Sequence, residues 1–266
     1  MVKNSISAEE PAPRFNPDLV SLPERAQIDW SIHYLPVAQS TQELAREAAR
    51  AGAAEGWTMV TDWQEAGRGR LGRRWLAAPG RDLLFSTLLR PPAPMLSLLP
   101  LLAGVALADA LEMAAGVQAN LKWPNDLLVE QRKLAGILLE RGAGNEVLLG
   151  VGLNVNSLPP ELPQNATSVR ACLGVPFGRE LLLGAILKAL DGALARALHQ
   201  ESGWVVADFR RRSSMIGRRI SYQQNGESKN GIAEDVDPDG SLRVRLDDGS
   251  SQNLYAGEVQ LVRSQS

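Results

Sequence analysis

Gln64-Glu65-Ala66-Gly67-Arg68-Gly69-Arg70-Leu71-Gly72-Arg73-Arg74-Trp75 holds three glycines and four arginines directly after a strand-like run over 57–63. Glycine lets the backbone turn through positive φ and bring its N–H groups close to a ligand. Arginine stays charged and forks onto carboxylate or phosphate oxygens. Gln64, at the mouth of the stretch, adds one donor group and one acceptor. The pattern suits an anion. Taken alone it fits a solvated basic turn or a nucleic-acid patch equally well, because short motifs recur by chance. It is not a Walker A loop: no Gly-Lys-Ser/Thr follows, and residues 75–80 do not read as the opening of a helix.

Working outward, the composition narrows the field. A chain of 266 residues can hold one large core and a small second unit. A hydrophobic fraction of 44% with 22% charged residues is ordinary for a globular protein. The formal net charge of -2 argues against a dedicated nucleic-acid binder. One cysteine, Cys172, excludes an internal disulfide, and with only two histidines beside it a zinc site is not expected. The first 17 residues lack the apolar core of a signal peptide. The most apolar run, 98–108, is cut off by Asp109 and Glu112 and is too short to span a bilayer. No membrane association is expected, and the cytoplasm is the default location.

Local patterns place the motif in a fold. Residues 1–24 read as a flexible, proline-punctuated tail, dispensable for activity. A strand over 32–37 precedes Ser40-Thr41-Gln42-Glu43, a capping box opening a helix to about Gly52. Strand 57–63 leads into the glycine-arginine loop, and 83–89 is a fully buried strand. Ser97 is expected to cap a helix reaching Ala115, with Pro100 tolerated in its first turn. Strands follow at 121–123, 126–129, 133–140 and 147–155, the first closed by the turn Pro124-Asn125-Asp126. Helices cover 179–199 and 204–212. Beyond them, short strands at 219–222, 231–236, 241–246 and 253–261 have the rhythm of a small β-barrel. The fold class expected is α+β: a catalytic domain over 25–216 with a mixed sheet backed by helices, then a barrel over 217–266.

Three further segments stand in register with the loop. They are Lys122-Trp123-Pro124-Asn125-Asp126, Arg132-Lys133-Leu134-Ala135-Gly136-Ile137-Leu138-Leu139-Glu140 and Gly150-Val151-Gly152-Leu153-Asn154-Val155-Asn156. In this order, with Ser40-Thr41 upstream, they resemble the biotin–protein ligase (biotin–[acetyl-CoA-carboxylase] ligase) family from about Ile32 to the C-terminus. That family joins a biotin/lipoate ligase-like domain to a small Src-homology-3-like barrel. Some members add an N-terminal DNA-binding domain. The residues before Ile32 are too few for one, so the resemblance is to the ligase-only type, without sequence-specific DNA binding. Two positions depart from the family's habit: Gln42 stands where asparagine is common, and Leu71 where arginine is.

The resemblance implies ATP-dependent activation of biotin as biotinoyl-5'-AMP, then transfer to a lysine of a biotin carboxyl carrier protein. It implies catalysis by Lys133, Arg68 and Arg70. Biotin would be held by Ser40, Thr41, Gln42, Gln64, Gly67, Arg68, Gly69, Arg70, Lys133 and Gly136. The nucleotide would be held by Arg68, Arg70, Trp75, Asn125, Lys133 and Asn154, with Mg²⁺ on the phosphates and Asp126 its candidate ligand. Gly67 and Gly69 are expected to lend backbone N–H groups, and Gly136 and Gly152 to let the sheet lie flat against the bicycle. Lys122 fits a sheet-edge lysine or a phosphate contact, Trp75 an adenine platform or a core side chain. Asn156 is a further candidate for ribose or adenine. A monomer or weak homodimer is expected. A lipoate or octanoate transferase, and a non-catalytic scaffold using its barrel, are the competing readings.

Overall fold

Strands that alternate apolar and polar residues must bury one face, and fully apolar strands must bury both. The computed structural model, which describes residues 12–142, 144–199, 202–224 and 227–262, satisfies this with two sheets. The first runs β1 (Ser31–Ala38), α1 (Thr41–Arg50), β2 (Trp57–Gln64), β3 (Leu83–Leu89), α2 (Leu99–Ala115), β4 (Asn120–Lys122), β5 (Asp126–Val129), β6 (Arg132–Arg141) and β7 (Val147–Leu153). Three helices follow: α3 (Val169–Leu173), α4 (Arg179–His199) and α5 (Gly203–Arg212). The second sheet holds β8 (Arg219–Gln224), β9 (Glu227–Val236), β10 (Leu242–Arg245), β11 (Ser251–Leu254) and β12 (Val259–Leu261).

The large sheet is mixed, in the order β1-β2-β3-β7-β6-β5-β4, with β1 and β2 parallel and its other neighbours antiparallel. Helix α2 is buried on nearly every side, because it lies between the sheet and α4. Leu83, Phe85, Leu149 and Val151 point toward it and form the main core. The opposite face packs against α1, whose Ala45 meets Leu88 and Leu148. Farther along that face stand Ser86, Gly150 and Gly152, which leave the sheet uncovered by bulk at the N-terminus of α1. There the cleft lies. The five-stranded sheet, order β11-β10-β9-β8-β12, is antiparallel throughout, as the small C-terminal barrel requires. No helix among the described residues is long and apolar enough to cross a membrane.

Several expectations change. The loose tail does not hold from residue 12 onward, and residues 1–11 lie outside the described residues. Phe15 is buried against Tyr34, with the Arg179 guanidinium 5.7 Å from its ring. Its N–H bonds Asp62, which also takes the Tyr34 hydroxyl at 2.6 Å and Arg179 at 2.7 Å. Asp191 receives the N–H groups of Gln27 and Ile28 and the Trp30 indole. One aromatic anchor suffices when its receptor comes from residues far along the chain, so dispensability of the whole tail is no longer expected. The capping box does not form: Ser40 sits at the cap without a side-chain cap bond, and Glu43 turns to Arg68 and Arg46. Leu98, not Ser97, occupies the cap of α2, because a 3₁₀ turn over Ala93–Met95 leads straight in. The run 253–261 is two strands, broken where Gly257 takes φ 129°. Helix α3 was not foreseen.

Candidate functional site

The cleft encloses about 540 Å³ between the glycine-arginine loop, strands β3, β6 and β7, and the barrel, a size suited to a small organic ligand. Gly136 and Gly152 face each other across β6 and β7 and form its floor. The Trp75 indole lies directly on both: a Cβ at Gly152 would come within 2.3 Å of the ring, and one at Gly136 within 2.9 Å. Trp75 is thus placed on the floor and not presented outward as an adenine platform. Its indole Nε1 is buried without a partner.

One end of the cleft is uncharged. Ser40, Thr41, Gln42 and Ser86 are all buried there. Ser40 Oγ has no hydrogen-bond partner, and an orphaned buried hydroxyl is an open ligand contact. Gln64 accepts the Thr41 N–H at 2.8 Å, which turns its amide nitrogen away from Thr41. Gln42 differs from expectation. Its amide donates to Leu148 O at 3.0 Å and accepts from Ser86 at 2.8 Å, so both ends are taken by protein. The longer glutamine side chain reaches across Gly150, whose missing Cβ leaves the room. Ser86 escaped the sequence reading, although a serine inside the apolar run Leu83–Leu89 is itself a signal.

The other end is cationic. Lys133 Nζ lies 2.7 Å from Asp126 Oδ1 and 5.5 Å from the centre of the Trp75 ring. Arg70 donates to Asn125 Oδ1 at 3.0 Å, and burial lowers its pKa against the opposing pull of Asp126 and Glu258. Burial likewise lowers Lys122, with Asp126 opposing and Lys133 adding repulsion. Lys122 is among the residues that line the cleft. Arg68 borders the cleft but is held by Glu43 at 2.7 Å, half-exposed. The loop closes on itself as a small hairpin: Trp75 N–H bonds Gly67 O at 2.9 Å, and Gly69 N–H bonds Arg73 O at 2.8 Å. The Gly69 N–H is thereby unavailable to a ligand, contrary to expectation. Gly67 is needed because a Cβ there would sit 2.7 Å from Trp75 O. Leu71 is exposed at the tip with φ 55°, a left-handed conformation unusual for leucine.

Asn154 and Asn156 do not line the cleft. Beyond β7 the chain turns behind the sheet. Asn154 donates there to Thr167 O and Lys133 O, bracing the backbone of the lysine. Asn156 pairs with the backbone of Phe177. The barrel lines one side of the cleft, through Arg218 and the segment 257–262. Glu258 pairs with Arg73 of the loop, and Gly240 O accepts the Trp123 indole N–H at 2.9 Å. Burial would raise Glu258, but its bonds to Arg73 and Gln260 outweigh that and hold it below the usual carboxylate range. Nothing in the local sequence around Glu258 signalled this reach. Among the described residues no group of three or more His, Cys, Asp or Glu converges as a metal site, and Asp126 is already held by Lys133.

An uncharged slot joined to a cationic end, on a mixed sheet opened by glycines, is a site for activating a small acid. The Biotin/lipoate A/B protein ligase family matches residues 34–156, and the biotin protein ligase C-terminal domain matches 215–262. The biotin–[acetyl-CoA-carboxylase] ligase of Mycobacterium tuberculosis is 34% identical over 229 residues, covering 83% of this chain and 85% of that protein. The bifunctional ligase/repressor BirA of Bacillus subtilis is 32% identical over 238 residues, covering 86% and 73%. The biotin protein ligase of Aquifex aeolicus in complex with biotin and ATP superposes with a TM-score of 0.78 at 28% identity, covering 88% and 99%. The chain belongs to the biotin–protein ligase family.

Proposed function

We propose that this chain is an ATP-dependent biotin–protein ligase. It joins the biotin carboxylate to the α-phosphate of ATP, releasing pyrophosphate, and then passes the biotinoyl group to a lysine ε-amine of a biotin carboxyl carrier protein, releasing AMP. The observation that carries the reading is the two-ended cleft, with uncharged hydrogen-bonding groups at one end and Arg70, Lys122 and Lys133 at the other.

The first step brings a carboxylate onto an anionic phosphate. Two unit charges roughly 3.5 Å apart repel by ~5 kcal/mol at an effective dielectric near 20, which is several decades of rate. Lys133 is the group proposed for the oxygens between acyl group and phosphate, where charge builds in both transition states. Arg70 and Lys122 serve the phosphates, and Arg68 joins them on leaving Glu43. Neither step requires a covalent enzyme intermediate; position and charge carry the catalysis. The triphosphate would need Mg²⁺ to neutralise it, and Asp126, which is paired with Lys133 here, is the candidate residue to contact that ion. Biotin's ureido head has one acceptor oxygen and two N–H donors, which suit Ser40, Thr41 and Gln64. The Trp75 indole borders the acyl chain. A lipoyl or octanoyl group would leave that polar end unpaired, which favours biotin over the alternative acids.

Biotin-dependent exchange of pyrophosphate into ATP tests the first step, and labelled biotin on a purified carrier domain tests the second. Exchange dependent on lipoate or octanoate and not on biotin would overturn the proposal.

A further inference from the structure

Behind the uncharged end of the cleft lies a chain of four side chains whose hydrogen directions leave no freedom. Leu148 O can only accept, so the Gln42 amide nitrogen at 3.0 Å must donate. Gln42 Oε1 can then only accept, so the Ser86 hydroxyl at 2.8 Å must donate to it. With its one hydrogen committed, Ser86 Oγ must accept from Thr41 Oγ1, also at 2.8 Å. Thr41 therefore has no hydrogen for Gln64 Oε1, 3.2 Å away. Gln64 Oε1 is held instead by the Thr41 backbone N–H at 2.8 Å. Each choice follows from the one before, and the series begins at a main-chain carbonyl that cannot change role.

Its outcome reaches the cleft. Thr41 presents lone pairs, an acceptor, and Gln64 presents its amide nitrogen, a donor. Ser40 Oγ, buried and unpartnered, supplies whichever role remains. A donor beside an acceptor is the complement of a urea edge, where a carbonyl oxygen stands beside an N–H. Gln42 and Ser86 border the cleft, but their polar atoms are engaged by Leu148 O, by Thr41 and by each other.

We propose that Gln42 and Ser86 are positioning residues that set the hydrogen-bond polarity of the slot and so select a ureido-bearing acid over an apolar-headed one. The longer side chain at position 42 is what permits this, since it spans Gly150 to reach both Leu148 O and Ser86. The inference rests on the ligase reading and deepens it. Removing the Ser86 hydroxyl frees the Thr41 hydrogen to turn onto Gln64 or into the slot, so Thr41 is no longer fixed as an acceptor.

Ser86→Ala and Gln42→Met, each assayed by pyrophosphate exchange, test the idea. Loss of one well-placed buried hydrogen bond corresponds to roughly ten-fold in affinity. Both variants should raise the KM for biotin by about that factor, and desthiobiotin, which keeps the ureido ring, should follow in step. The KM for ATP and kcat should stay within about two-fold, a split that simple loosening of the fold would not produce. Unchanged biotin KM in both variants would overturn the proposal, as would equal rises for biotin and ATP. Wild-type protein with no biotin-dependent exchange would instead refute the ligase reading from which the proposal starts.

Discussion

Replacing Gly152 with alanine separates a structural from a functional role for the glycine floor. An added Cβ would meet three atoms of the Trp75 ring at 2.3, 2.6 and 2.7 Å. Ordinary carbon contacts lie near 3.5–4.0 Å, so the indole must retreat by about 1.5 Å. The sheet cannot yield, because Gly152 is paired on one side to Leu84 and on the other to Gly136. The loop can, since Trp75 is tied to it through Gly67 and the neighbouring loop residues are exposed. Overpacking of a closed core costs about 1–3 kcal/mol, and a yielding loop places this substitution at the lower end. The functional loss should be larger, because the displaced indole is pushed into the space the acid needs: a biotin KM higher by ~100-fold, or about 2.7 kcal/mol. Urea denaturation and biotin-dependent pyrophosphate exchange measure the two quantities on one preparation. A variant with near-normal biotin KM, or one destabilised by more than ~3 kcal/mol, would refute the reasoning. Gly136→Ala meets the mobile end of Lys133 as well as the ring, so its effect should be milder and weigh on kcat.

Lys133→Ala should lower kcat for adenylate formation by roughly 10²–10³, in line with loss of one preorganised charge-stabilising group, while biotin affinity measured by calorimetry changes little. Glu258→Gln removes the barrel's hold on Arg73. The pair is part-exposed, so stability should fall by no more than ~1 kcal/mol, but hydrogen exchange across 67–74 should quicken in the ligand-free protein, and adenylate should escape faster. Equal protection in both proteins would show that the barrel does not steady the loop. Burial raises the Asp82 carboxyl from 3.8 to about 6 despite bonds from Ser157 and the backbone of Val155. As pH rises through that window the unfolded chain loses its proton first, so stability falls, by ~3 kcal/mol in all. Asp82→Asn should flatten that part of the stability profile between pH 4 and 7, as followed by urea denaturation; an unchanged slope would contradict it.

What could be read from the chain was whatever depends on neighbours a few residues away. The apolar run Leu83–Leu89 announced a buried strand, and the spacing of Leu182, Leu183, Ile186, Leu187 and Leu190 announced a helix, because periodicity is local. The glycine-arginine loop stood out for a similar reason, since its residue types alone suggest an anion, whereas Lys133 and Gly136 were singled out only through the family resemblance. Tertiary structure alone decided who answers whom. Phe15 is an anchor and not part of a loose tail because Asp62 and Arg179 arrive from 47 and 164 residues away. Gln42 faces the sheet because Gly150 leaves room over β7 and Ser86 waits beside it. Trp75 lies on the floor because two glycines from different strands come into register. Asn154, close in sequence to the site, turns its back on it. Glu258, from the other domain, reaches in. A hydrogen bond or a steric gap belongs to two residues at once, and only the folded chain brings the second one within reach.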